Sequence, residues 1–434
     1  MKKLFISAVE KKPRKDTGKS IRNVLCIIMC VSVMCLMSTC SKSDGPEKET
    51  GKSEGLYDAT FTDETVYFDA SETSKDVVSI DEAKKTFTFK NSNEKAKHLK
   101  KGDIVLIHGK ALGKANKVSE QGNNIVVETV EATLNEAIED GIIQWSTVCD
   151  FQPDMQLQAL VGEIPFEPSL RAGNNTKFDF SYGGYKYSIS MDLNKDHAIV
   201  KLEVTKSLAD GAVKAKFSAE GKVSAFKSEN TIKYDKRQLK EFTMNNNNLQ
   251  GELTLALTVA GSGSDALNLE LPVILGTYPV MVGPIPTVIT LKMQIVINAV
   301  VPLDGSAQIS TKFKYNSETG IKYDGIKTQA TGRIGTYSID GQNTDTGASQ
   351  AIAANFGIGY PRIEVGIFGN VVVPWIQTAF LIGGDFTFFP LCRQARAQFI
   401  GGCGVNFSFL GFKHSENMNL WQQEKVFLKT GECP

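Results

Sequence analysis

The chain has 434 residues, 48 basic and 48 acidic side chains, 41% hydrophobic residues and 9% aromatics. That hydrophobic content at zero formal charge excludes a chain disordered overall, and the length leaves room for two or three cores. The balanced charge lacks the basic face that nucleic acid requires, so no nucleic-acid partner is expected.

The balance is broken at the N-terminus. Before Cys40, eight cations running from Lys2 to Arg22 stand against two anions, Glu10 and Asp16. The apolar run 24–37 follows, shorter than the roughly 20 residues of a membrane-spanning helix. A cationic flank, a short apolar core and the small residues Ser38 and Thr39 have the layout of an export signal. On Leu36-Met37-Ser38-Thr39-Cys40 the chain resembles bacterial lipoprotein precursors, whose lipobox ends in a cysteine that is lipidated and becomes the mature N-terminus. The match is relaxed: Thr39 stands where Gly or Ala is commoner, and Met37 where Leu is commonest. The resemblance implies a signal over residues 1–39, lipidation at Cys40, and a membrane held as partner through that anchor. Ser41 after the cysteine resembles outer-membrane sorting.

Cys26, Cys30 and Cys35 fall within the signal, and four cysteines follow Cys40: Cys149, Cys392, Cys403 and Cys433. An even number in an oxidising compartment predicts disulfides among these four, with the connectivity open. The histidines His98, His108, His197 and His414 are scattered, so no metal site and no cofactor is expected.

Residues 40–55 are polar and Gly/Pro-containing without apolar periodicity, and read as a flexible tether. A small β module is expected over 56–148. Val66-Tyr67-Phe68, Val77–Ile80, Thr86–Phe89, Ile104–Ile107 and Ile125–Thr129 are short β-branched or aromatic runs between polar turns. Thr133-Leu-Asn-Glu136 is a capping box opening a short helix, which Asp140-Gly141 is expected to stop. The segments Leu99–Leu106, Ala111–Val118 and Val127–Ile138 resemble a module of uncharacterised secreted bacterial β-rich proteins. Gly283–Thr290 and Pro361–Trp375 resemble later parts of the same proteins, a resemblance that implies a folding unit and no particular chemistry.

From 149 to 434 a larger β-rich domain is expected, with a subdivision near 345. Tyr185–Met191, Ala198–Val204, Val213–Val223, Leu253–Val259 and Ile289–Ile297 alternate apolar and polar residues, as antiparallel strands with one buried face do. Asp192-Leu-Asn-Lys-Asp196 has acidic EF-hand positions, but His197 replaces the required Gly and the flanks are strands, so it reads as a hairpin turn. Asn245–Asn248 also reads as a turn. Pro-rich 272–286 is expected at a sheet edge or bridging segment. The charge-poor, aromatic stretch 350–410 reads as a sheet buried on both faces, against an apolar groove or partner surface; a third reading, an outer-membrane barrel, sits poorly with a lipidated Cys40 and a polar first module. The fold class is therefore all-β or mainly β: a small barrel or sandwich, then a larger antiparallel sandwich or extended sheet.

The sequence holds no GxSxG, HExxH or phosphate-binding loop. The expected function is a non-enzymatic envelope protein that binds an extracellular glycan or protein. The competing reading is a carbohydrate-active hydrolase with its two carboxylates hidden in the sequence. Trp145, Trp375 and Trp421 are the first contact candidates, set against the burial usual for Trp.

Overall fold

The computed structural model describes residues 54–432, apart from 153–157, 162–163, 167–168, 183, 208–212, 260–264, 302–306, 343–352, 370 and 389–390. The signal, Cys40, the tether and the expected subdivision near 345 lie outside the described residues, as does Cys433. The structure is 76% strand and 6% helix, which makes the protein all-β. Among the described residues no helix is long and apolar enough to cross a membrane.

The chain opens with β1 (Glu54–Phe61), which leads into a six-stranded sheet: β2 (Thr65–Phe68), β3 (Val77–Asp81), β4 (Thr86–Lys90), β5 (Ile104–Ile107), β6 (Ala111–Gln121) and β7 (Asn124–Val130), in the order β2-β5-β6-β7-β4-β3. Its phenylalanines alternate inward, Phe87 and Phe89 on β4 among them, and Phe68 stacks on Phe89 at 4.4 Å. Helix α1 (Ala70–Asp76) begins at a capping box, Asp69 accepting from the Glu72 amide while Glu72 accepts from the Asp69 amide. Helix α2 (Glu94–Lys97) is capped by Asn93. The expected capping box at Thr133 opens α3 (Leu134–Ala137), with the Thr133 amide donating to Glu136 at 2.9 Å.

Asp140-Gly141 does not stop that helix. The chain turns extended at Ile138 and runs through both residues as β8 (Ile138–Cys149). Gly141, at φ +138, lies against Ala59 across β1, so close that a Cβ would be 2.3 Å from the Ala59 Cα. Both β1 and β8 belong to the next, larger sheet, so the small module's own sheet ends at Val130.

Beyond Cys149 come β9 (Gln158–Val161), β10 (Ile164–Phe166), β11 (Leu170–Ala172), β12 (Asn175–Tyr182), β13 (Tyr185–Asn194), β14 (His197–Ser207), β15 (Val213–Ser224), β16 (Phe226–Asp235) and β17 (Gln238–Val259). The predicted hairpin is β13–β14, closed between Asn194 and His197. The chain continues through β18 (Asp265–Val282), β19 (Ile285–Val301), β20 (Ala307–Tyr323), β21 (Thr328–Ala330), β22 (Arg333–Gln342), β23 (Ala353–Ile367), β24 (Val371–Phe388), β25 (Leu391–Asn406) and β26 (Ser415–Gly431). Twelve strands form one sheet along β1-β8-β16-β17-β15-β14-β13-β12-β11, with β20 on β17 and β21 and β22 on β20. Eight form another in the order β10-β9-β18-β19-β23-β24-β25-β26. Among the described residues neither path returns to its first strand, as the path of a closed barrel does.

The two large sheets share one core, because alternate residues of each point at the other. Aromatic pairs join them: Phe217 with Phe356 at 5.1 Å, Phe313 with Phe380 at 5.0 Å, and Tyr315 with Phe399 at 5.8 Å. Among the described residues, Pro-rich β18 meets β9 at Val273 and Ile274 alone, so most of its length has β19 as its one partner strand. An edge of that kind tolerates Pro272 and Pro279, which have no amide to offer. In the 350–410 stretch, β23 is buried on both faces from Phe356 to Pro361.

The small module is tied down by polar contacts. Arg237 reaches Glu139 at 2.5 Å and Glu64 at 2.8 Å, and the Gly109 amide donates to the Pro284 carbonyl.

Candidate functional site

Three irregularities line up across the twelve-stranded sheet. On one side of β17 the neighbour changes: β16 pairs up to Asn247 and β15 takes over at Gly251, the handover being Ala225. On the other side the register with β20 slips between Asn246 and Leu249, where Asn248 adopts φ +61. The next pair, β20 with β22, slips between Tyr315 and Ser317. Bulges bend the strand that carries them, so aligned bulges crease the sheet. The Asn245–Asn248 run is thus no turn. It lies inside a 22-residue strand and supplies its bend.

The crease forms a cleft of about 520 Å³. Ser224 from β15, Gln250 from β17, Asn316 from β20, and Thr336 and Ser338 from β22 give it neutral hydroxyls and amides. Lys222, Lys314 and Glu252 add charge at its walls. Glu252 is the one carboxylate among the lining residues, and it pairs with Lys312 at 3.0 Å. Tyr337, directly opposite the buried Tyr315, turns inward instead: its ring lies 6.3 Å from Phe399 and its hydroxyl donates to Gln423 on β26 at 2.8 Å. Gly251 is needed in the floor: the Tyr315 ring slides beneath it, and a Cβ there would sit 2.6 Å from the Tyr315 hydroxyl. That phenol is fully buried, which pushes its pKa well above the ordinary value.

A second polar assembly lies on the eight-stranded sheet. Ile363 and Val365 point into the shared core, so the neighbours Arg362 and Glu364 point away from it. Glu364 is 5% exposed and clamped by Lys292 at 2.5 Å and Arg362 at 2.6 Å. Burial alone would raise its carboxyl, but the two cations hold it below the usual range. Arg362 also contacts Gln377 and covers Trp375.

The sequence-predicted residues are not brought together. Trp145 and Trp421 are core residues, 2% and 8% exposed, while Trp375 is half-buried under Arg362. Two of the four disulfide candidates are corrected: Cys149 and Cys403 are free, buried and on different strands, Cys149 packed in the core beside Phe226. Burial raises the thiol pKa of both, Cys403 to about 12. No cysteine pair among the described residues is bonded. Among the described residues no group of three or more His, Cys, Asp and Glu could hold a metal ion. The cleft residues were not singled out from sequence, because they come from four strands between 222 and 338. The one local signal was the Asn run interrupting the alternation of β17.

No protein family, curated protein or solved structure matches this chain.

Proposed function

We propose that this protein is a lipid-anchored cell-envelope protein that binds a polyhydroxylated extracellular partner, a glycan, in the crease of its twelve-stranded sheet. The observation that carries this reading is the lining of the cleft: the neutral hydroxyls and amides of Ser224, Gln250, Asn316, Thr336 and Ser338. Sugar hydroxyls both donate and accept hydrogen bonds, so a lining of neutral hydroxyls and amides suits them. Hydrolysis of a glycosidic bond is less well supported, because it needs two carboxylates about 5–10 Å apart and the lining holds Glu252 alone.

The anchor rests on the sequence: Cys40 after a cationic flank and a short apolar core, with outer-membrane location following from Ser41. The polar segment 40–55 would hold the folded part away from the lipid. A disulfide between Cys392 and Cys433 completes the proposal. Its support is the register: Cys392 faces Gly431, and the Glu432 amide donates to the Leu391 carbonyl at 2.8 Å, one residue before Cys433.

A glycan array probed with the whole chain tests the binding reading. Asn316→Ala combined with Ser338→Ala should weaken any glycan bound by wild type at least tenfold. Undiminished binding would remove the cleft from the proposal. Metabolic labelling with a palmitate analogue tests the anchor separately, with wild type labelled and Cys40→Ala bare.

A further inference from the structure

Beside the crease, the inner face of the twelve-stranded sheet carries two polar rows inside an otherwise apolar core. One row runs Thr147 on β8, Ser228 on β16, Asn246 on β17 and Thr319 on β20, each directly opposite the next. The adjoining row begins Trp145 and Asn230. All six are buried, with Ser228 and Asn246 at 0% exposure. Two direct bonds form: Asn246 Nδ2 donates to Thr319 at 3.2 Å and Asn230 Nδ2 to Ser228 at 3.3 Å. Four polar atoms in the same rows, Trp145 Nε1, Thr147 Oγ1, Asn230 Oδ1 and Asn246 Oδ1, have no hydrogen-bond partner among the described residues.

We infer that these rows are a binding site for ordered water, a small internal cluster bridging β8, β16 and β17. Leaving a buried polar atom unpaired costs more than a typical hydrogen bond contributes, and four neighbouring cases of that cost call for an occupant. The occupant is neutral, since none of the six side chains is ionisable and a buried ion would lack compensation. It is small, since these atoms are shut off from solvent between two packed sheets. It both donates and accepts, since an indole N–H only donates and an amide oxygen only accepts. Short side chains on strands about 4.8 Å apart often miss one another directly but lie within reach of a single bridging water. The cluster fixes the register of β16 against β8 and β17 beside the crease, because a one-residue slip of β16 would turn Ser228 and Asn230 to the outer face and away from their partners. This site is independent of any ligand in the cleft outside.

Magnetic relaxation dispersion of water oxygen-17, measured on the whole chain, tests the proposal by counting long-lived internal waters. Wild type should show a dispersion that Thr147→Val and Asn246→Leu each reduce. A dispersion unchanged in both folded variants overturns the site. If neither variant folds, high-resolution diffraction from wild type decides. Water peaks within hydrogen-bond distance of Thr147 Oγ1 and Asn246 Oδ1 support the inference, and a dry interior there refutes it.

Discussion

The guanidinium carbon of Arg362 lies 4.2 Å from the centre of the Trp375 ring. A Cβ on Gly404, one strand over, would sit 2.6 Å from the indole Nε1, so the indole lies against bare backbone on that side. Trp375 is therefore held between a glycine and a cation and does not stand open as a platform. The cation is in turn held by Glu364, the centre of the whole assembly.

Removing the cover should be visible in fluorescence. Arg362→Ala exposes the Trp375 face and deprives Glu364 of one of its two cations. Emission should shift to the red relative to wild type, and stability should fall by about 2 kcal/mol, toward the lower side of what breaking a buried ion pair costs, because Lys292 remains. An unshifted spectrum would mean that Trp375 was not covered by Arg362 in solution.

Glu364 also makes stability depend on acid. Its folded pKa is depressed by Lys292 and Arg362, so the unfolded chain binds the proton more readily. The contribution is present in full above the unfolded value, about 4.3, and is lost as pH falls through the lower folded value. The stability of wild type, read by chemical denaturation, should fall on acidification below about pH 4. In Glu364→Gln, which is less stable at neutral pH by about 3 kcal/mol, the gap from wild type should narrow over the same interval. A constant gap would separate Glu364 from the acid response.

Legibility in the sequence followed the range of the interaction. Tyr185–Met191 and Ala198–Val204 announced their hairpin because alternation and turn lie within twenty residues, and β4 and β7 announced themselves as short β-branched or aromatic runs between polar turns. The place of β8 was not legible: its partners are β1, which lies about eighty residues before them, and β16, about eighty residues after. Gly141 looked like a helix stop because glycine serves both there and where two backbones nearly touch, and only the position of Ala59 distinguishes the two. The cleft was hidden for a similar reason. A bulge is written as one extra residue, and the two register slips and the strand handover align only once β15, β16, β17, β20 and β22 are paired.

Thiol labelling should separate the cysteines. Cys149 and Cys403 are buried, and burial raises both pKa values, so neither forms the reactive thiolate at neutral pH. Alkylation of the exported native protein should label neither. After denaturation without reductant, two sites should react, Cys149 and Cys403, while Cys392 and Cys433 stay blocked until reduction. Four reactive sites before reduction would sink the proposed bond.

Two adjacent glycines on β25 should respond to the same substitution with opposite sign. Gly401 faces the core under Trp421, and a Cβ there would lie 2.3 Å from the ring carbon Cε2. The indole is 8% exposed and packs 5.9 Å from Phe399, so it has little room to retreat. Gly401→Ala should therefore cost about 1–3 kcal/mol, the usual penalty for overpacking, and should change the near-ultraviolet dichroism of Trp421. Gly402 points to the other face, where the nearest atom to its Cβ would be the Met418 carbonyl oxygen at 3.7 Å, an ordinary contact. With no clash, alanine there mainly reduces the freedom of the unfolded chain, so Gly402→Ala should be neutral or stabilising by up to about 1 kcal/mol. Denaturant melts of the two variants measure the difference directly. Equal stabilities would show that Trp421 is not seated on Gly401.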